Sequence, residues 1–161
     1  MTRFFLDTEF IERGRQHPIQ LISIGLVDEA GRQFYAISSE FDASTASEWV
    51  CANVIARLEP ESQVKPETIA EIATRLRRFV RGEYPFEFWG YYSDYDWVVF
   101  CQLFGTMMDL PQRFPMYCHD LRQWLDEHGH EDVSQPDSNH NALGDAEWIR
   151  DTWRTYANHN T

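Results

Sequence analysis

Three runs of strand-forming residues joined by short turns, a helical middle, and a later strand built almost wholly of aromatics predict an α/β fold. The first strand contains Phe4-Phe5-Leu6-Asp7-Thr8-Glu9-Phe10. Strand alternation puts Phe5, Asp7 and Glu9 on one face and Phe4, Leu6 and Thr8 on the other. Two carboxylates pointing the same way in an apolar setting repel each other and lose hydration, so a nearby cation is the usual remedy. The alternative is a strand whose last two acids already lie in a solvated turn. Residues 11–18, with Gly14 and Pro18, form a polar loop closing a hairpin. Arg13, Arg15 and His17 in that loop either face a phosphate or are simply solvated.

Ile19 to Val27 is an apolar run with few charges, as a central strand would be, and Asp28 to Gly31 is a turn. Gln33 to Ser38 is the third strand. These three form an antiparallel meander, which is not how a dinucleotide-binding sheet opens. A helix is then predicted from about Ala43 to Leu58, stopping before Pro60. Pro66 and Glu67 open another, with Ile69, Ile72, Leu76 and Phe79 at helical spacing. Thr74, Arg77, Arg78 and Arg81 lie opposite that stripe, either as a solvated face or as a hold for a nucleic-acid backbone.

Phe86 to Tyr92 is a strand of nearly unbroken aromatics, which places it at the sheet centre. Ser93 begins a helix to about Phe104. Asp96 completes a capping box with Ser93, or else serves a site, since it shares a face with Val99, Phe100 and Leu103. Met116 to Cys118 reads as a short fifth strand, His119 to His128 as a helix, and Gly129 to Asn139 as a mobile polar loop. The last helix runs from about His140 to Tyr156. Ala142, Ala146, Ile149, Trp153 and Tyr156 make its buried stripe, with Asp145 on the inward edge and Glu147 and Asp151 outside. His140 precedes the regular turns, free to lean over a cleft.

At 161 residues, with 43% hydrophobic and 15% aromatic content, the chain suits one domain over 1–161. No apolar run reaches membrane-spanning length and no leader is evident, so a soluble cytoplasmic protein with no membrane partner is expected. Cys51, Cys101 and Cys118 lack metal-type spacing and fit reduced thiols. A net charge of −12 and a pI near 4.8 argue against gripping long duplex through many phosphates. They leave room for a protein that handles one strand end through metal ions.

The inward acids are Asp7, Glu9, Asp96 and Asp145, with His140 five residues before the last. Asp7-Thr8-Glu9, Tyr95-Asp96 and His140-Asn141-Ala142-Leu143-Gly144-Asp145 resemble the three motifs of the DEDDh 3′-5′ exonucleases. That superfamily includes ribonuclease T, oligoribonuclease and the proofreading subunit of bacterial replicative polymerase. The resemblance covers nearly the whole chain and is closest to a compact bacterial and phage branch of 3′-5′ exoribonucleases. Histidine at 140, where a sister group carries a tyrosine nearer the last aspartate, marks DEDDh rather than DEDDy. The sequence departs from the pattern where Tyr91-Tyr92-Ser93-Asp94 replaces an asparagine often found before the second motif.

The resemblance implies a ribonuclease H-like fold, a five-stranded mixed sheet with its first three strands antiparallel, flanked by helices. It implies two divalent ions, Mg²⁺ or Mn²⁺, held by Asp7, Glu9, Asp96 and Asp145, with His140 as general base. The implied reaction releases nucleoside 5′-monophosphates from the 3′ end of single-stranded RNA or a 3′ overhang. Thr8 and Phe10 are candidate substrate contacts, Phe10 by stacking on a base or else by packing in the core. DNA is an alternative substrate, and a homodimer fits the family habit. Rival readings are a ribonuclease H-type endonuclease and a catalytically silent binding module.

Overall fold

A computed structural model describes residues 1–58, 64–82, 84–135 and 140–157. Pro60, read as a helix stop, and the 136–139 part of the polar segment lie outside these residues. The five strands are β1 (Thr2–Ile11), β2 (Gln20–Asp28), β3 (Gln33–Ile37), β4 (Phe86–Gly90) and β5 (His119–Asp120), and they form one sheet in the order β3-β2-β1-β4-β5. The β1–β2 and β2–β3 pairs are antiparallel, while β1–β4 and β4–β5 are parallel. With helices on both faces, this is the ribonuclease H-like arrangement that the motifs imply.

The strand at the centre is β1, not the aromatic β4. Alternation along β1 serves two cores at once. Phe4 and Leu6 pack with Ile24, Leu26, Phe88, Ile72, Leu76 and Phe100 on one side, and Phe5 packs with Trp89, Leu121, Leu125 and Ile149 on the other. The first side is closed by α3 (Ile69–Phe79) and α4 (Asp94–Gln102), the second by α5 (Leu121–Glu127) and α6 (Ala142–Ala157). A third cluster of Ile11, Ile22 and Val54 fastens the 48–58 segment over the far end of the β1–β2 hairpin.

Two expected helix boundaries move, because side-chain caps and the sheet edge take the backbone groups that those helices would use. The 43–58 helix is broken: Asp42 caps a tight turn at Ala43–Thr45, and Ser47 then caps α1 (Glu48–Val50). A wide π-type stretch, Cys51–Ile55, follows before α2 (Ala56–Leu58). The next helix starts at Thr68, whose side chain forms a capping box with Glu71. Glu67 is not available to that helix because its amide donates to Ile37 and its carbonyl accepts from Ser39, extending the sheet edge.

Met116 to Cys118 is not the fifth strand. Trp89 and Gly90 pair with His119 and Asp120, and Asp120 then caps α5 by accepting from the Gln123 amide. The described part of the polar segment after α5 is tied down. Arg122 donates to the carbonyls of His130 and Val133, and the His130 ring packs on Tyr156. No helix among the described residues is long and apolar enough to cross a membrane.

Helix α6 comes close to the sheet where it crosses β2. Gly25 of β2 lies directly opposite Asp7 in register. A Cβ there would fall 2.3 Å from the Ala142 carbonyl oxygen and 2.5 Å from the Leu143 Cα. Glycine therefore lets the first turn of α6 settle on the strand beside Asp7. Gly25→Ala should destabilise the protein by about 1–3 kcal/mol through overpacking, read as a lower urea midpoint at unchanged slope. An unchanged midpoint would show that α6 does not need that contact.

Candidate active site

The acids reach the site from three elements, β1, α4 and α6. Asp7 and Glu9 project from the central strand on the side that carries α6, and the ladder to β2 shifts register between Glu9 and Phe10. Asp145 sits in the first turn of α6, where the helix dipole favours a carboxylate. That turn is fixed by Asn141, whose side-chain oxygen accepts from the amides of Leu143 and Gly144, both at 3.1 Å. Carboxylate oxygens of Asp7, Glu9 and Asp145 lie within 4.8 Å of one another.

Asp96 stands in the first turn of α4, and the alternative reading of it, a capping box with Ser93, does not form. The Ser93 amide and hydroxyl instead donate to Asp120, at 2.7 and 3.2 Å. Asp96, 7% exposed, accepts from the Thr8 amide at 2.8 Å and from the Thr8 hydroxyl at 2.6 Å. Because Thr8 points to the opposite face of β1 from Asp7 and Glu9, this pair of bonds ties α4 to the strand between the two acids. Thr8 thus positions Asp96.

The electrostatic consequence is strong. Burial, then the charges of Asp96, Glu9 and Asp145, holds the Asp7 carboxyl well above the usual carboxylate range. Burial, then Asp145 and Asp96, pushes Glu9 up to about 8. Burial raises Asp96 to about 6 even though both Thr8 bonds favour its charged form. Crowded acids that resist ionisation invite a cation. Their donor set is all hard oxygen, which fits Mg²⁺ or Mn²⁺ rather than a soft metal.

His140 is placed two residues before α6 with a left-handed backbone, φ 46. It lies outside the three-acid cluster. Its ring meets the indole of Trp49 edge-on, with centroids 4.8 Å apart at 74°. Trp49 is 54% exposed although it is a large aromatic. Phe10 packs against the main core, and its other contact is a stacked Tyr95 ring, centroids 5.8 Å apart at 14°. Trp49 escapes a reading by motif, and Tyr95, although part of the second motif, gains no role of its own from it. Tyr95 could have been found as the residue beside an inward acid, and Trp49 as an aromatic just after the Ser47 cap.

The family described as the 3′-5′ exoribonuclease Rv2179c-like domain matches residues 2–157. Two proteins from strains of Mycobacterium tuberculosis, named 3′-5′ exoribonuclease MT2234.1 and 3′-5′ exoribonuclease Rv2179c, are each 42% identical to this chain over 147 residues. The aligned region covers 89% of this chain and 86% of each relative.

A pH dependence follows from the raised carboxyls. Between the ordinary value of 4.5 and about 8, folded Glu9 binds more proton than unfolded Glu9, so its contribution to stability falls as pH rises through that window. Asp7 acts in the same direction. In chelator, the melting temperature should decline across this range, and Mg²⁺ or Mn²⁺ should restore it most at the alkaline end. Asp7→Asn should raise the melting temperature of the metal-free protein at pH 8 by several degrees. A fall on that substitution would contradict the account.

Proposed function

Because the chain belongs to the 3′-5′ exoribonuclease Rv2179c-like family, we propose that it is a metal-dependent exoribonuclease of the DEDDh superfamily. It removes nucleoside 5′-monophosphates one at a time from the 3′ end of single-stranded RNA. Exoribonuclease activity rests on the family. The mechanism rests on one observation, three carboxylates within 4.8 Å of one another whose charges are mutually unfavourable without a cation.

Asp7, Glu9 and Asp145 would hold the ions, with Asp96 completing the site directly or through water. Four carboxylates nearly balance two divalent charges. When bound, such ions compensate the charge that builds on the phosphoryl oxygens and the departing 3′ oxygen, and make the attacking water more acidic. The protein's own groups do the rest. Thr8 keeps Asp96 in place through two bonds. Asn141 and Gly25 fix where α6 delivers Asp145.

His140 takes the proton of the attacking water on a ring nitrogen. An imidazole can accept a proton on one ring nitrogen while holding another on the other, and this ring packs against Trp49 outside the acid cluster. A general base needs that separation, because a ligand nitrogen would be tied up by the metal. The half-exposed rings of Trp49, packed on His140, and of Tyr95, the neighbour of Asp96 in sequence, offer faces on which the terminal base can stack.

The test is a 5′-labelled RNA incubated with protein and Mn²⁺, with the DNA equivalent alongside, and products resolved by length. The expected result is a ladder shortening from the 3′ end, abolished by chelator and by Asp7→Asn, and slowed about 10²–10⁴-fold in kcat by His140→Ala. Internal cuts would point to an endonuclease. Cleavage that survives chelation would remove the role given to the acids.

A further inference from the structure

The chain carries 14 basic side chains against 26 acidic ones. Four of its arginines nevertheless line one cavity of about 670 Å³: Arg77, Arg78 and Arg81 from α3 and the turn after it, and Arg113 from the loop before β5. All four are exposed. Arg3, Arg32, Arg75, Arg122 and Arg150 each sit within salt-bridge distance of a carboxylate. None of the four groove arginines has a carboxylate partner at that distance among the described residues. This wall is a local reversal of an overall charge of −12.

The groove has aromatic surface as well. The Arg113 guanidinium lies 5.2 Å from the ring centroid of Tyr84, which is 59% exposed, and that of Arg77 lies 5.7 Å from the Phe104 ring. Arg113 holds its position with a left-handed backbone, φ 78, that a bulky side chain rarely adopts. Strain of that kind persists where it places a group for use. Planar cations match phosphate oxygens, and exposed aromatic faces accept bases whatever their identity. A single-stranded nucleic acid needs both.

The groove lies at the start of β1, away from the acids along the strand. Phe86, in its wall, pairs with Thr2 at the start of β1, and Asp7 stands five residues further on, about 16 Å at the rise of a strand. Between the two runs α4, which carries Asp96 in its first turn and ends just before Phe104, the ring beneath Arg77. We propose that this arginine groove is a second RNA site, which holds the body of the strand by its phosphates while the 3′ end occupies the acid site. The proposal rests on the exoribonuclease reading for the identity of the ligand. It assigns the groove a job that the chemistry at the acids does not require. The groove gives affinity for length and leaves the reaction of the last linkage unchanged.

The test uses the full chain. In chelator, binding of a fluorescent single-stranded RNA of about 16 nucleotides is measured across a salt series for wild type and for Arg78→Ala/Arg81→Ala/Arg113→Ala. With Mn²⁺, hydrolysis of that RNA is compared with hydrolysis of a dinucleotide too short to reach the groove. The triple variant should bind the long RNA about tenfold or more weakly, with a log–log salt slope shallower by about 2. Its KM for the long RNA should rise, while it cleaves the dinucleotide at the wild-type rate.

The matching triple lysine variant, which keeps the charge, should retain most of the salt slope and shows that the surface tolerates substitution. Unchanged affinity and slope in the alanine variant would overturn the proposal. So would an equal loss of rate on both substrates. If the wild type cleaves neither RNA, the exoribonuclease reading fails by itself, and the binding arm still decides the groove by the same loss of affinity and slope.

Discussion

Repulsion among Asp7, Glu9, Asp96 and Asp145 is the constraint around which this structure is built. Burial and mutual charge push Glu9 up to about 8 and hold Asp7 well above the usual carboxylate range. A domain of this size is stable by about 5–15 kcal/mol, so an uncompensated cluster of this kind is a serious cost. The rest of the chain supplies the offset. Two apolar cores grip β1 from both sides, and the strand that carries the awkward pair is held at the centre of the sheet between β2 and β4.

Enclosure alone would not bring the other two acids in. Asp145 arrives because Gly25, opposite Asp7, has no side chain to hold α6 away, and because Asn141 ends the approach by capping the helix there. Asp96 arrives because Thr8, between the two strand acids, turns to the other face and takes its carboxylate with both amide and hydroxyl. Small polar residues thus do the positioning, while large apolar ones provide the rigidity that lets short hydrogen bonds persist. His140 and Trp49 meet from separate elements at the flank, leaving the base outside the acid cluster it is proposed to serve.

The acids and the meander were legible in the sequence because period-two and helical patterns betray a carboxylate on an apolar face. Asp7, Glu9 and Asp145 come together as the pattern implies, and Asp96 is on the buried face of α4. What was not legible depends on competition between neighbours. Ser93 could have bonded Asp96, but Asp120, from a strand two residues long, takes it instead. Two caps, Asp42 and Ser47, divide what reads as one helix. Glycine 25 looks like any glycine in a strand until α6 is laid on it. The aromatic run of β4 reads as the sheet centre because both its faces are covered, yet β1 holds that place, with β4 between it and β5. The arginine groove combines a helix face that the sequence offers with Arg113 and Tyr84, which no local pattern joins to it.

If the acids are gathered to hold divalent ions, metal and proton must compete for the same oxygens. The direct measurement is calorimetric titration of Mn²⁺ into the protein at pH 7 in two buffers of different ionisation enthalpy, with Asp7→Asn as the control. The account predicts saturable binding accompanied by proton release, since Glu9, with its value near 8, is largely protonated before the metal enters. That release should shrink as the starting pH is raised past 8, and the binding should be lost in the variant. Binding with no proton release, or equal binding by Asp7→Asn, would contradict the claim that these four carboxylates form a metal site.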